Sequence, residues 1–488
     1  MSELALKLIR EAKEKRLPYL DLAFCGLTEL PDELFELEWL EQLNLAGQYI
    51  NNNSNEGIRW KESLNKGPSN NIVNLISIKR LKSLKNLSIG GSFYNNSDLW
   101  DISSLEDITT LHILCISFCK VKNLYPLSNL VELEILTLSS NEIDNIKPLE
   151  NLHNLLILYL NNNKHLYDIN AIRNMKELWL LNLSYTSIGD ISPLQACNQL
   201  TYLDISSTKV TDVSPLANLL QLKELNISNS KANNLNSISE QVRLERLKGS
   251  IITSENLDFL KNQRQLKELH IKNEQSLDFV KRLPVLEELN ITRSFNLISL
   301  IPLEGCPSIV SLIITWSHLN DLSPLTKLSN LSRLILMLNT GTVDFNEIGK
   351  FKNLKTLQVE EMGVDDLSFI SELRLLESLA ISHANATDIS AIIYCKNLRW
   401  LDISGTNISS IESLSRLDHL EQIVLDGTSI ISIAPLIKFI KNGLPVYADG
   451  YHPEFSADGI YVKIAHWKYH PMRSFKMATT QLFAILKK

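Results

Sequence analysis

The chain has 488 residues, with 48 basic and 55 acidic side chains, so its formal net charge is −7, and 44% of its residues are hydrophobic. This composition excludes a disordered chain and argues against a nucleic-acid binder that depends on electrostatic attraction. Leucine and isoleucine number 87 and 50. Such a bias favours a repeat protein built on leucine.

The N-terminal sixteen residues combine charged and apolar side chains. Glu3, Lys7 and Arg10 interrupt any apolar core that a signal peptide would need. Leu4, Leu8 and neighbouring apolar residues instead form a stripe that predicts a helical cap over residues 1–16. No later stretch is apolar over the ~20 residues of a membrane span. The six cysteines lack a close CxxC pair and fit reduced thiols, so we expect a cytoplasmic protein.

From Leu17 onward, the pattern LxxLxLxx followed by Asn, Thr, Ser or Cys recurs about every 22 residues. Its first leucine, here called the anchor, falls at Leu17, Leu40, Leu84, Leu111, Leu133, Leu155, Leu178, Leu200, Leu222, Leu244, Leu266, Leu286, Ile309, Leu331, Leu354, Leu376, Leu398 and Leu420. The interval from Leu40 to Leu84 is 44 residues, twice the period. It predicts a degenerate repeat marked by Asn70 and Ile72, and nineteen repeats in all.

The alternation xLxLx predicts a short strand with its leucines on one face. A 22-residue period leaves room for one compact return to a parallel neighbour. Returns such as Asp190–Leu194 contain Asp, Ser and Pro, which suit the start of a single 3₁₀ or α-helical turn. We therefore predict an α/β solenoid over residues 17–442, with a parallel sheet on its concave side and short turns on its convex side.

These repeats resemble the 22-residue class of leucine-rich repeats found in internalin-like proteins. A narrower resemblance links Gly26–Pro31 and the polar insertion 51–71, with Trp60, to bacterial Roco-type proteins. Residues 458–463 and 482–486 look like the segment that joins repeats to a GTPase in those proteins, although the chain has no GTPase domain after it. We expect residues 443–488 to form a C-terminal cap on the last repeat.

Motifs of common enzymes are not found in the sequence. It contains no GxxxxGK[ST], GxSxG or HExxH, so we expect no enzymatic activity, catalytic residue, cofactor or metal site. His466 and His470 lie four residues apart but lack a third ligand, which favours an ordinary pair in the cap. Cys115 falls at an outward strand position without a neighbouring base, so we interpret it as a surface thiol.

Residues of the strands that point away from the leucine core are the candidates for binding. The third position of successive repeats predicts an exposed apolar ridge flanked by three aromatic residues. The ridge consists of Ile113, Ile135, Ile157, Leu180 and Tyr202, and the flanking residues are Phe118, Tyr159 and Tyr185. An equally weighted alternative is that these β-branched neighbours only stabilise the parallel ladder.

A second apolar cluster contains Trp and Met, which are favoured anchors at protein interfaces. Its members are Ile313, Trp316, Ile335, Met337 and Leu338. Between the two clusters, residues 224–293 carry charges of both signs, which fit a solvated face or the rim of an interface. Gly249 replaces a strand leucine there and one step is only 20 residues, which predicts weak packing over repeats 244–286.

These patterns predict a non-catalytic scaffold that binds a protein partner on its concave face, with no nucleic acid and no membrane involved. Two alternatives remain open at this stage. The Roco resemblance implies a regulatory partner of a separate GTPase or kinase chain. An immunity or inhibitor protein that blocks a toxin would use the same kind of surface.

Overall fold

The computed structural model describes residues 2–51, 59–91, 96–249, 254–297, 299–430 and 432–440, together with 446–447, 456–457 and 460–461. The chain divides into two compact units, Met1–Lys272 and Asn273–Lys488, called unit 1 and unit 2. Their boundary falls inside the stretch 244–286 that the sequence marks as irregular.

Unit 1 contains one α-helix, thirteen strands and ten 3₁₀ turns among its described residues. The helix is α1 (Glu3–Glu14), and the strands are β1 (Tyr19–Asp21), β2 (Gln42–Asn44), β3 (Gln48–Asn51), β4 (Arg59–Glu62), β5 (Asn86–Gly90), β6 (Ile113–Ser117), β7 (Ile135–Thr137), β8 (Ile157–Tyr159), β9 (Leu180–Asn182), β10 (Tyr202–Asp204), β11 (Glu224–Ile227), β12 (Arg246–Gly249) and β13 (Glu268–Lys272). The 3₁₀ turns are Asp32–Glu36, Ile78–Arg80, Ser103–Leu105, Tyr125–Leu127, Lys147–Leu149, Asn170–Asn174, Ser192–Ala196, Ser214–Leu216, Leu235–Ile238 and Ser254–Asn262.

Unit 2 repeats the same alternation of strand and 3₁₀ turn. Its strands are β14 (Glu288–Thr292), β15 (Ser311–Thr315), β16 (Arg333–Met337), β17 (Thr356–Glu360), β18 (Ser378–Ala380), β19 (Trp400–Asp402), β20 (Gln422–Val424), β21 (Val446–Tyr447), β22 (Ser456–Ala457) and β23 (Ile460–Tyr461). Its helical segments are the 3₁₀ turns Asp278–Arg282, Ile301–Gly305, Ser323–Lys327, Phe345–Lys350, Ser368–Glu372, Ser390–Tyr394, Glu412–Arg416 and Ala434–Leu436, and the α-helix α2 (Ile437–Ile440).

The strands confirm the predicted repeat, because a strand begins two residues after every anchor. Neighbouring strands pair in parallel with the template positions in register, so that Leu114 lies beside Leu136 and Leu136 beside Leu158. All three leucines are fully buried. Each unit therefore has a core of stacked leucines behind one parallel sheet, and 3₁₀ turns close the other side of each repeat. The predicted solenoid fold is confirmed.

Hydrogen bonds between Asp and Ser stabilise the tight turns of the returns. In the return at 190–194, the Ser192 backbone N–H and Oγ donate to the two carboxylate oxygens of Asp190 at 2.8 and 3.0 Å. Pro193 then sets the backbone angle φ that a helical turn requires, and Leu194 is buried in the core. The corresponding bonds from Ser214 lower the pKa of Asp212. These interactions start each turn without help from neighbouring repeats.

Buried asparagines join one repeat to the next. The Asn163 Nδ2 donates to the carbonyls of Leu138 and Leu160 at 2.9 and 2.8 Å, and its Oδ1 accepts from the Ile143 N–H at 3.0 Å. Because the bends after the strands leave these backbone groups without a sheet partner, the asparagine side chain satisfies them. The Asn position of the repeat is thus structural.

The prediction of a degenerate repeat between Leu40 and Leu84 is wrong. β2 pairs directly with β5, and the intervening chain forms an antiparallel hairpin from β3 and β4. By the template, the asparagine of the Leu40 repeat would be residue 48. In the structure, Asn70, which lies 22 residues further along the chain, takes the place of that asparagine. The doubled interval is therefore an insertion of one repeat length, which periodicity alone cannot distinguish from a lost repeat. Among the described residues of the two units, strands follow eighteen anchors rather than nineteen.

An N-terminal helix packs against the first repeat. α1 begins after Ser2 and buries Ala5, Ile9 and Ala12, and it contacts β1 and the first 3₁₀ turn. At the other end, β21 pairs in parallel with β20, so the sheet extends beyond the expected limit at 442. His466 and His470 lie outside the described residues. No helix among the described residues is long and apolar enough to cross a bilayer.

Candidate functional site

The sheet face is defined here as the surface formed by the third, fifth and seventh residues of each repeat, on the side of the sheet away from the leucine core. It is bordered by a rim, the eighth residue of each repeat, where the backbone turns left-handed. The rim includes Phe24, Phe118, Ser140, Asn162, Tyr185, Ser207, Asn229, Asn273, Arg293, Trp316, Leu338, Glu361, His383, Gly405 and Gly427, all with φ between 52° and 66°. Four of the predicted binding residues therefore lie at rim positions.

The ridge on the sheet face of unit 1 is buried, and the expectation that it is exposed is wrong. Ile113, Ile135, Ile157 and Leu180 are only 1 to 8% exposed. They form one cluster with Cys115 and Ile50, against which Tyr159, Trp179 and Tyr202 pack. Side chains from adjacent strands lie close enough to shield one another from solvent. A segment of the insertion also packs on the ridge.

The cover is the hairpin β3–β4. β3 contacts both β5 and β6, and its Ile50 is buried in the ridge cluster. Tyr49 on the same strand lies against Tyr19 of β1, with 5.6 Å between the ring centroids. The hairpin thus packs on the sheet face at the first repeats. Cys115 is consequently buried rather than a surface thiol, and burial raises its pKa.

Ile50→Ser should expose Cys115 to a thiol reagent. Replacing the buried isoleucine with a hydroxyl removes apolar contact and leaves a polar group in the cluster, so the hairpin should open more often. We expect the rate of Cys115 labelling to rise at least about tenfold. Cys197, which lies in the leucine core of a later repeat, serves as the internal reference. Equal labelling of Cys115 in the wild type and in the variant would contradict the hairpin cover.

Aromatic residues remain accessible around the buried ridge. Tyr185 is 50% exposed at the rim, whereas Phe118, Tyr159 and Tyr202 are half-buried. Burial raises the pKa of Tyr159 to about 12, so its hydroxyl remains protonated at neutral pH. The exposed part of this region is thus a border of aromatic side chains around a buried aliphatic floor.

The second predicted cluster lies together on the sheet face and rim of unit 2. Ile313 pairs with Ile335 across β15 and β16, and both side chains are buried. Trp316 follows the end of β15 and is 45% exposed, and its backbone N–H donates to the Met337 carbonyl at 3.1 Å. Met337 and Leu338 are half-buried. The exposed part of this cluster is therefore Trp316 with the accessible parts of its two neighbours.

Charges on the sheet face of unit 1 pair with one another. Arg246 contacts Glu224 at 2.6 Å, and Glu268 accepts from Lys248 and His270 at 2.7 and 2.9 Å. Burial alone would raise the pKa of the Glu268 carboxyl. The hydrogen bonds from His270 and Lys248 outweigh this effect and lower the pKa to about 2. This mutual pairing favours a solvated face for that part of the charged stretch.

Two groups of surface residues were not predicted from the sequence. Glu360 and Asp402 lie on the sheet face of unit 2, where burial raises the pKa of Glu360 to about 7 and also raises that of Asp402. Reading the outward positions beyond residue 338 would have found them. Trp100 and Tyr125 are exposed in the returns of unit 1, and comparison of the returns with one another would have identified both. Trp60 has no described side chain.

Comparison with known proteins agrees with this geometry. Residues 176–218 match the family model described as Leucine Rich repeats (2 copies). Among curated proteins, none matches the chain at a significant level. The period of 22 residues, the parallel strands and the family match together make the chain a leucine-rich repeat protein. The C-terminal segments that carry the narrower Roco resemblance lie outside the described residues, apart from Ile460 and Tyr461.

Several solved structures are similar to the chain. An internalin from Listeria monocytogenes is 26% identical, with 71% of this chain and 88% of that chain covered and a TM-score of 0.44. The plant peptide hormone receptor RGFR1 in complex with RGF2 is 15% identical over 88% of this chain and 68% of that chain, with a TM-score of 0.49. A leucine-rich repeat protein of Leptospira interrogans is 18% identical over 89% and 97%, with a TM-score of 0.45.

Proposed function

We propose that the protein is a non-catalytic recognition scaffold that binds a protein partner on its sheet face, the face that the sequence predicts to be concave. The buried aliphatic residues form the floor, and the accessible residues of the sheet face and its rim make the contacts. In unit 1 the proposed contacts are Phe118, Tyr159, Tyr185 and Tyr202. In unit 2 they are Trp316, Met337 and Leu338.

The observation that carries this proposal is the exposure of large apolar side chains at left-handed rim positions. Trp316 and Tyr185 have φ of 53° and 56°. An L residue there costs about 1–2 kcal/mol relative to glycine, and Asn is better tolerated because its side chain hydrogen-bonds locally. Asn162 and Gly405 occupy this position in other repeats. A half-exposed ring at such a position therefore serves folding poorly, and aromatic residues of this kind are favoured anchors at interfaces.

Changing Trp316 and Met337 together to Ser should weaken partner binding by at least about 2 kcal/mol, because a few buried anchors dominate interface energy. The free energy of unfolding should stay within about 1 kcal/mol of the wild type, because neither side chain lies in the leucine core. The partner is first isolated with the intact chain, and its affinity for each variant is then measured by calorimetry alongside thermal unfolding.

The matched control changes Ile301 and Tyr394 to Ser. Both are apolar and exposed like Trp316, but they lie in the 3₁₀ turns of unit 2. This control should bind the partner normally. If the Trp316 and Met337 variant instead binds normally and melts several degrees lower, these side chains only stabilise the pairing of the parallel strands. The sheet-face proposal then fails in unit 2.

The two narrower roles differ in the partner that they require. A separate GTPase or kinase chain as the partner would favour a regulatory role, and a toxin blocked on binding would favour an immunity or inhibitor role. Identification of the isolated partner by mass spectrometry separates them.

A further inference from the structure

A pocket of about 330 Å³ lies on the returns of unit 1, apart from the sheet face. It spans three successive returns, the first contributing Trp100, the second Lys122 and Tyr125, and the third Asp144 and Pro148. The two rings are among the most exposed large apolar side chains described, Trp100 at 65% and Tyr125 at 66%. Both rings border the same pocket.

Other repeats of the chain show that folding does not require these rings. Trp100 and Tyr125 occupy template positions that Thr211 and Ser214 occupy in a later return. The Tyr125 backbone N–H still donates to the Asn123 Oδ1 at 3.1 Å, as the Ser214 N–H donates to Asp212. The turn therefore forms equally with a small polar residue. Two large rings around one pocket are thus an addition to the repeat.

The chemistry of the pocket favours an uncharged ligand rich in hydrogen-bond acceptors. Lys122 pairs with Asp144 at 3.0 Å, and Lys120 pairs with Asp98 at 2.5 Å, so the nearby charges are balanced within the protein. The Trp100 indole N–H and the Tyr125 hydroxyl make no hydrogen bond with any residue that the structure describes. They leave two donors beside apolar ring faces and Pro148.

We propose that this pocket binds a proline-rich, extended segment of a protein partner. A polyproline II helix offers backbone carbonyls without N–H groups, which matches a pocket that supplies donors, and proline rings pack on aromatic faces. Successive strands lie about 4.8 Å apart and the returns behind a concave sheet are spaced at least as widely, so three returns span at least about 10 Å, enough for the ~9 Å of one three-residue turn. A proline-rich segment is also already extended, so binding costs little ordering entropy.

Ligands of other classes fit the pocket less well. A basic segment would meet Lys120 and Lys122, and an acidic one would meet Asp98 and Asp144, so neither gains from the paired charges. An amphipathic helix needs a longer apolar groove than three returns provide. The match is therefore to a neutral and extended ligand.

Fluorescein-labelled decaproline is the probe for this site, and its binding is followed by fluorescence polarisation with the full chain. We expect saturable binding of decaproline and at least about tenfold weaker binding of a glycine-serine peptide of equal length. Trp100→Thr and Tyr125→Ser, which introduce the residues of a later return, should each weaken decaproline binding at least about tenfold while thermal unfolding is unchanged.

The variant with Trp316 and Met337 changed to Ser is the matched control, and it should bind decaproline like the wild type. This control separates the pocket from the proposed sheet-face site, because either can fail without the other. The proposal is overturned if decaproline binds no better than the glycine-serine peptide, or if both pocket variants bind it like the wild type. Preferential binding of oligoglutamate or oligolysine would also overturn it.

Discussion

Asn70→Ala should lower the free energy of unfolding by about 4 kcal/mol, since each buried backbone group left without a partner costs about 1–3 kcal/mol. The Asn70 Oδ1 accepts from the N–H groups of Cys25 and Leu27 at 3.2 and 2.9 Å, and its Nδ2 donates to the carbonyls of Leu22 and Leu45 at 2.9 and 3.0 Å. Urea denaturation followed by circular dichroism measures the change.

The neighbouring Asn71 provides the control for this prediction. Its side chain bonds Asp98 at the surface, so Asn71→Ala should cost less than about 1 kcal/mol. Hydrogen exchange in Asn70→Ala should show the largest loss of protection in β1 and β2, because each repeat depends on its neighbours. Equal effects of the two substitutions would contradict the conclusion that Asn70 completes the Leu40 repeat after an insertion.

Glu274→Gln should remove about 3 kcal/mol of pH dependence from the stability of the protein. Glu274 occupies the Asn position of its repeat and is fully buried, and neither of its carboxylate oxygens has a hydrogen-bond partner among the described residues. Burial raises its pKa from 4.5 to about 7. Because the folded state binds this proton more tightly, the wild type should lose stability as pH rises from about 4.5 to above 7.

The predicted difference appears when urea unfolding is measured between pH 4.5 and 8. Glu274→Gln should show a decrease smaller by about 3 kcal/mol than the wild type and be the more stable protein at pH 8, while Glu360, whose pKa is also raised to about 7, keeps its own part of the decrease. Glu274→Ser is a second variant, because Ser294 and Ser317 fill the same position in the following repeats. It should show the same smaller decrease. If the wild type and both variants share one pH profile, the Glu274 carboxyl is not buried as described.

Periodicity predicted the fold well because every repeat obeys the same local rules. The alternation of leucines determines which face of a strand is buried, and the Asp-Ser-Pro returns start their turns through contacts within a few residues. The insertion was misread because its length equals one period. What distinguishes an insertion from a lost repeat is the direct pairing of Leu43 with Leu87, a contact between distant residues.

The candidate site was predicted less completely than the fold. The period correctly predicted which side chains point away from the leucine core. Ile113 and Ile135 point away from it and are nevertheless buried. Their burial depends on neighbouring strands and on Ile50, which a separate segment brings to the ridge. The left-handed backbone conformation of Trp316 could not be predicted from its residue type, because tryptophan has no preference for φ > 0.

Hydrogen exchange of the full chain, with and without its isolated partner, tests the sheet-face proposal most directly. Backbone amides of the strand ends and rim around Trp316 and Leu338, or around Tyr185, should become protected when the partner binds. The 3₁₀ turns, apart from the return pocket at Trp100 and Tyr125, should exchange at unchanged rates. Protection confined to the turns, with the strand ends and rim unaffected, would contradict recognition through the sheet face.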